Sequence, residues 1–249
     1  LLCEVGRWLD SLGERRKLNY RLIFAPGTIG AITWLAKNQG QLQNIVSGLV
    51  VSCVGDDGGP LYKCSRRGDG LIDRAMAHVF KMSEIDTASV KDFWPYRYDE
   101  RQYCSPGFNL PIGLIMRKMY GKFKEYHTSL DNPKMISFKT IIETIKIYHE
   151  VLLTIENNFI PIGKVQFGSP QLSKSKIPLY GKIMFRTNAN PHKHARKDRE
   201  RTRFILEVLN LADGSIDLLE IAKKKKFKLI DHLDSINDLL KSKYIKKSN

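Results

Sequence analysis

The histidine at position 127 stands in a sequence suited to metal binding. In "EYHTSLDN", residues 125–132, Asp131 and Asn132 follow His127 within a few positions. A neutral imidazole is the commonest metal ligand in proteins, and a nearby carboxylate or carbonyl fixes which ring nitrogen faces the metal. The alternative is a loop histidine that serves only local hydrogen bonds. The octapeptide alone does not decide between these interpretations.

Two acidic clusters could complete a site of this kind. Asp56 and Asp57 lie in "GDDGG", and Asp99 and Glu100 precede Arg101 in "YDERQY". A zinc hydrolase needs several nitrogen or oxygen ligands, an open coordination position for water, and a carboxylate that takes the proton of that water. Taken singly, such carboxylates more often cap a turn or bind a backbone amide. Their chemistry therefore depends on whether the fold brings them together.

The composition is that of an ordinary globular protein, with 249 residues of which 42% are hydrophobic. No run approaches the length of a membrane span, and the first residues carry charges within their apolar pattern, unlike a signal peptide. The four cysteines are widely spaced, so neither a zinc knuckle nor a disulfide framework is indicated. We expect a cytoplasmic protein with reduced thiols and no membrane partner. Because helical spacing begins at the first residue, which is not Met, we also expect a fragment.

Much of the net charge of +15 lies in the last quarter of the chain, in "NPHKHARKDRERTR" and "AKKKKFK". Such clusters attract nucleic acid or other anionic polymers, although a lysine run is more often a solvated surface. In "KLIDHLDSINDLLKSK", Asp231, Asp234 and Asp238 recur along one face of a predicted helix and form a negative stripe. That stripe would repel phosphates, so nucleic acid is not the expected partner.

Predicted strands and helices alternate along the first part of the chain. "NYRLIFAPGT", "SGLVVSCV", "LYKCSRR", "ASVKDFW" and "LPIGLI" are predicted strands; "TIGAITWLAKNQ", "GLIDRAMAHVFKM" and residues 137–157 are predicted helices. Apolar strands alternating with helices are typical of α/β proteins with a mainly parallel sheet covered on both faces. We predict this mixed sheet over residues 1–160. Ligands of such sheets bind at the carboxyl ends of the strands, where Gly27, Asp56, Asp99 and His127 could converge.

The rest of the chain is predicted to form a connector and a small second domain. Prolines punctuate residues 161–202, which we interpret as the connector. Residues 203–249 predict three short helices and a final strand, which together indicate a winged-helix domain. Such domains often serve only as interaction modules, so the fold alone does not establish DNA binding. A homo-oligomer formed through this domain is one expectation.

Four ordered motifs carry a family resemblance over nearly the whole chain. "YRLIFAPGTIGAITWLAKN", "GLVVSCVGDDGGPLYKCSRRGDGLIDRA", "YDERQYCSPGFNLPIG" and "EYHTSLDN" resemble the bacterial aminopeptidase-like family associated with polysaccharide biosynthesis. That family is related to zinc exopeptidases of the leucyl aminopeptidase type, and its members commonly end in a winged-helix domain. The resemblance implies a zinc-dependent hydrolase that cleaves an amide or peptide bond of a small amino-containing substrate.

The resemblance also assigns roles to individual residues. His127 resembles the last zinc-ligand histidine, and Asp56 is nearest to an acidic ligand that follows a central strand, although the strict equivalent could be Cys53. Asp99 matches an orienting aspartate. Tyr126 would border the site and, with Arg101, contact the substrate.

Two departures from the family pattern leave a second function open. Gly27 stands where many relatives carry a glutamate, so Glu100 or Asp99 would have to move the proton of the metal-bound water. The family's first histidine and bridging aspartate would precede Leu1. The alternative function is a binding or scaffold protein of surface-polysaccharide biosynthesis with a degenerate site.

Overall fold

The computed structural model describes residues 1–96, 98–175, 177, 179 and 193–248, with the backbone alone for residues 193–197. The chain divides into two compact units, Leu1–Glu156 and Asn157–Asn249. All four cysteines are free thiols, as predicted. Cys104 is buried in the first unit and donates to the carbonyls of Leu110 and Ile112, which is the role of a core thiol.

The first unit contains the alternating helices and strands that the apolar pattern predicts. Its helices are α1 (Leu2–Ser11), α2 (Ile29–Lys37), α3 (Leu71–Met82), α4 (Glu100–Tyr103) and α5 (Phe138–Asn157), and its strands are β1 (Gly48–Val51), β2 (Leu61–Lys63), β3 (Ser89–Lys91) and β4 (Ile112–Met116). The buried carboxylate of Asp73 joins β2 to α3 because it accepts hydrogen bonds from the Tyr62 hydroxyl, from Ser65 and from the Gly70 amide.

The four strands form one sheet in the order β1, β4, β2, β3. β1 pairs with β4 in parallel, β4 with β2 antiparallel, and β2 with β3 in parallel. This confirms the predicted mixed α/β class with a mainly parallel sheet. β4 has a strand on each side and is buried along its whole length, which explains its continuous apolar sequence. Gly113 is required within it because any side chain there would collide with the ring of Tyr62 on β2.

The strand predicted in "NYRLIFAPGT" is wrong. Residues 19–25 form no strand, and side chains rather than a ladder fix this segment. The Tyr20 hydroxyl donates to the Glu156 carboxylate at 2.7 Å, and the Arg21 guanidinium donates to Asn38 and Gln41. Strand propensity is realised only where a neighbouring strand offers a ladder, and none does so here among the described residues.

The second unit contains β5 (Pro161–Gly163), α6 (Lys193–Leu211), α7 (Leu218–Lys225), α8 (Leu233–Lys241) and β6 (Ile245–Lys247). β5 and β6 form a two-stranded antiparallel sheet. The three predicted tail helices and the final strand are therefore present. Part of the predicted connector, residues 161–163, is β5 and belongs to this small sheet, whereas residues 180–192 lie outside the described residues.

The core of the second unit comprises apolar side chains from all three helices, among them Phe204, Leu218 and Leu239. No helix in the described ranges combines the length and the apolar character that crossing a membrane requires.

Candidate functional site

His127 lies in an exposed loop between β4 and α5 with its imidazole against Tyr126. The two rings stack with centroids 4.0 Å apart and planes 15° apart. The backbone of His127 has a φ of 59°, in the left-handed region that few non-glycine residues adopt. No hydrogen bond or ion pair joins the imidazole to any described residue. The ring nitrogens are therefore accessible to a ligand.

Asp56 follows β1, as predicted, but its carboxylate is occupied by the backbone. The side chain is 5% exposed. Oδ1 accepts from the Gly58 amide at 2.7 Å, and both oxygens accept from the Lys118 amide at 3.2 Å. These hydrogen bonds fasten the turn after β1 to the residues that directly follow β4. This geometry is that of a structural anchor, and no hydrogen bond joins Asp56 to His127 among the described residues.

Asp99 and the turn at Gly27 come together through a hydrogen bond, although no strand precedes Gly27. Oδ1 of Asp99 accepts from the Thr28 amide at 2.6 Å, and Thr28 has a φ of 61° at the start of α2. The side chain of Asp99 is half-buried, and its Oδ2 accepts no hydrogen bond from a described residue. Asp99 therefore orients the turn and retains one oxygen for another partner.

Glu100 is completely buried at the start of α4 and forms an ion pair with Lys63 of β2. Burial raises the pKa of the Glu100 carboxyl above its usual range, although the Lys63 ammonium opposes that rise. Its Oε2 has no hydrogen-bond partner among the described residues. A carboxylate enclosed in this way is not positioned to take a proton from a water molecule at the surface.

Arg101 lies half-buried on the same short helix. Its Nε is buried without a hydrogen-bond partner among the described residues. The substrate contact of Arg101 therefore stays a prediction.

The structure also pairs Cys53, named above as a possible equivalent of the family's acidic ligand, with Tyr98, which the sequence did not single out. The thiol and the phenol lie 3.0 Å apart, and Cys53 adopts a φ of 46° just after β1. Burial, followed by the contact with Cys53, raises the pKa of the Tyr98 hydroxyl. Tyr126 packs in the same apolar cluster as this pair. The "YRYDE" spacing, in which a tyrosine directly precedes Asp99, was the signal available in the sequence.

The described donors do not by themselves fit a zinc site. Among the residues that the structure describes, no three His, Cys, Asp or Glu side chains come close enough together to hold a metal ion. The oxygens of Asp56 already accept backbone hydrogen bonds, and Glu100 is neutralised by Lys63. His127 offers an unengaged ring nitrogen at the surface but lies in no such group among the described residues, so no catalytic step through a metal follows from them.

The fold is that of a protein described as a candidate peptidase. The chain superposes on a crystal structure of that protein, from Clostridium acetobutylicum, with a TM-score of 0.80 and 35% sequence identity, and the match covers 98% of this chain and 51% of that chain. An aminopeptidase from Aneurinibacillus sp. strain AM-1 is much more distant, with a TM-score of 0.40 and 15% identity over 51% of this chain and 29% of that one. The second likeness carries no weight.

The chain belongs to the family described as "Domain of unknown function (DUF4910)", whose model matches residues 1–158. A relative from Clostridium acetobutylicum is 41% identical over 225 residues, which are 90% of this chain and 48% of the relative. Its name describes a candidate polysaccharide biosynthesis protein with an aminopeptidase-like domain. The chain thus spans about half the length of the relatives that it matches.

Proposed function

We propose that this chain is part of an aminopeptidase-like hydrolase of polysaccharide biosynthesis, which cleaves an amide or peptide bond of a small amino-containing substrate. The observation that carries the proposal is the 41% identity, over 90% of the chain, to the relative whose name combines those two properties. The superposition on a candidate peptidase, with a TM-score of 0.80, supports it.

We place the substrate end of this site at the loop that carries Tyr126 and His127. His127 is exposed, stacked and without a hydrogen bond to a described residue, which suits a group that binds a ligand. Of the two carboxylates proposed for proton transfer, Asp99 is the better placed because it retains one oxygen, whereas Glu100 is fully enclosed. Arg101, half-buried beside them, remains proposed as a substrate contact.

Zinc dependence is part of this proposal, with His127 as one ligand. The described residues do not supply the other ligands, since Asp56 is committed to the backbone. In a protein as long as the relatives, those ligands would come from outside the matched half.

The test is the exchange His127→Asn in the intact protein. Asparagine tolerates a left-handed backbone, so this change removes the imidazole while the loop conformation is retained. We expect loss of most bound zinc by elemental analysis and loss of hydrolysis of aminoacyl arylamides, with an unchanged melting temperature. Ser129→Ala, at an exposed neighbouring position, is the matched control and should retain both properties. Zinc content equal to that of the wild type in His127→Asn would refute the ligand role.

A binding or scaffold protein is the second candidate, and one observation favours it. Asp56 and Asp99 both accept short hydrogen bonds from backbone amides, at 2.7 Å and 2.6 Å, as structural carboxylates do. This candidate predicts that the intact protein binds substrate-like molecules without turning them over.

For the second unit we propose a winged-helix type of module that mediates protein interaction, including self-association. Its three helices and its two-stranded antiparallel sheet support that assignment.

A further inference from the structure

A pair of exposed aromatic rings, Trp94 and Tyr96, stands on the loop between β3 and α4. Trp94 is 55% exposed and Tyr96 is 40% exposed, although both are large apolar side chains. Their rings lie 4.8 Å apart with planes inclined at 32°. Tyr96 covers part of the indole of Trp94, and more than half of Trp94 remains open to solvent. The two rings form one contiguous apolar patch, unlike the singly scattered apolar side chains that are normal on a protein surface.

The loop that carries the pair is fixed from below by buried groups. The Lys63 ammonium donates to the Trp94 carbonyl at 2.9 Å and to the Tyr96 carbonyl at 3.3 Å. The Tyr120 hydroxyl donates to the same Tyr96 carbonyl at 3.4 Å. Lys63 is 3% exposed, and Glu100 balances its charge from a fully buried position. The buried ion pair therefore sets the conformation of the loop.

A buried ion pair is an energetically costly way to support a loop that has no function beyond connecting two elements. Transferring an ammonium and a carboxylate out of water is expensive, and the attraction between them repays this only in part. The Lys63–Glu100 ion pair makes the backbone at Trp94 and Tyr96 rigid. A rigid surface loses less entropy when a ligand binds. Binding sites are typically supported in this way by buried hydrogen bonds beneath the contacting residues.

The exposed pair is connected to the proposed substrate loop by further aromatic contacts. Tyr96 lies 6.4 Å from Tyr120, Tyr120 lies 6.1 Å from Tyr126, and Tyr126 stacks on His127. All of these residues belong to the first unit. The buried ring of Tyr120 thus links the exposed pair to the loop that carries His127.

We propose that Trp94 and Tyr96 form a stacking subsite for a pyranose ring, so that the molecule recognised is a glycan carrying amino sugars rather than a free peptide. The C–H face of a pyranose is apolar and packs flat on an aromatic ring, while its hydroxyl groups point sideways into water. Lys91 and Asp92, which precede the pair and are exposed, could contact those hydroxyl groups. This inference rests on the part of the proposed function that places the chain in polysaccharide biosynthesis, the process named for the relative.

The size of the patch argues for a sugar rather than a protein partner. Two aromatic side chains offer at most a few hundred Å² of contact. A stable protein interface buries about 800 Å² on each partner. The contact area of two rings is close to that of one or two sugar units and far below that of a protein interface.

The test measures the binding of the N-acetylglucosamine tetramer to the 249-residue chain by calorimetry and saturation-transfer NMR. We expect saturable binding in which ring C–H protons receive saturation. Trp94→Ala should weaken binding about tenfold, and Trp94→Phe should retain most of it because the flat ring remains. Phe138→Ala, which removes another exposed ring of the same unit, should bind like the wild type. Circular dichroism verifies that each variant is folded.

Three outcomes would overturn the proposal. These are no binding of the tetramer by the wild type up to its solubility limit, equal binding by Trp94→Ala, and a dimer that Trp94→Ala converts to a monomer in sedimentation. The last would identify the patch as an interface between copies. Because no turnover is measured, a lack of hydrolase activity leaves this proposal standing. A failure to bind sugar equally leaves the hydrolase proposal untouched.

Discussion

At the scale of single residues, Lys63 offers a sharp test of how the first unit is held together. Its ammonium neutralises the completely buried Glu100. Lys63→Met would leave that carboxylate buried and unpaired, which typically costs about 3–5 kcal/mol. We expect a loss of this size in urea unfolding followed by tryptophan fluorescence, since all three tryptophans precede residue 157.

The pH dependence of Lys63→Met distinguishes this cause from a simple packing defect. The pKa of Glu100 is already raised by burial, and removal of Lys63 raises it further. A carboxyl with a folded-state pKa above its unfolded value stabilises the fold at low pH and loses that contribution as pH rises. The destabilisation should therefore shrink between pH 8 and pH 5. The double variant Lys63→Met/Glu100→Gln should recover part of the loss, and a destabilisation independent of pH would contradict this account.

The roles of individual residues were only partly predictable from the sequence. The position of His127 in a loop follows from its polar neighbours, whereas its exposure and its stacking on Tyr126 do not. The burial of Glu100 was not, because its partner Lys63 lies on a strand that the sequence presents as an ordinary alternating segment. Likewise, the bond from Thr28 to Asp99 joins residues far apart in the chain. A sequence pattern identifies carboxylates but does not show which amides they accept from.

At the scale of elements, local patterns predicted the helices well and one strand wrongly. α2, α3 and α5 follow from apolar residues at helical spacing, which is a property of each segment alone. A strand also requires a partner, and residues 19–25 have the composition of a strand without the partner. The antiparallel junction between β4 and β2 within a mainly parallel sheet is equally non-local, so the strand order could not be read from the sequence.

The packing of α6 against the segment before α8 gives a prediction about pH. His232 is 6% exposed, with its ring stacked on Phe204 at 4.1 Å and edge-on to Phe227 at 5.3 Å. Burial lowers the pKa of His232 below its ordinary value of 6.5, although Glu200 and Asp231 oppose that shift. In the unfolded state the imidazole binds a proton more readily, so stability falls as pH decreases below about 6.5.

Hydrogen exchange of the intact chain measures this effect. Peptides from α6 and α8 should open more often at pH 5.5 than at pH 7.5, after correction for intrinsic rates, by up to about tenfold per pH unit for one linked proton. His232→Phe retains an aromatic ring without a titrating group, so its opening should not respond to pH. An equal response in that variant would assign the effect to other groups.

At the scale of the whole molecule, the net charge of +15 is unevenly distributed along the chain. Residues 157–249 contain 20 of the 41 lysines and arginines but only 9 of the 26 acidic residues. Several of these cations are already paired, because Arg201 binds Asp238 at 2.8 Å and Lys225 binds Glu207 at 2.7 Å. Asp238 therefore faces α6, and the exposed part of the predicted acidic stripe consists of Asp231 and Asp234.

These charges predict weak binding to duplex DNA without sequence preference. A DNA-reading helix must present basic or polar groups to the groove, and two exposed aspartates on and beside α8 repel phosphates there. We expect the intact chain to shift a DNA probe only at low salt, with an affinity that falls steeply with salt concentration, as for any polycation. Asp231→Asn/Asp234→Asn should strengthen that binding, whereas Glu207→Gln, which alters a paired acid away from the stripe, should change it less. A sequence-specific shift at physiological salt would show instead that the second unit reads DNA and that its basic surface evolved for that purpose.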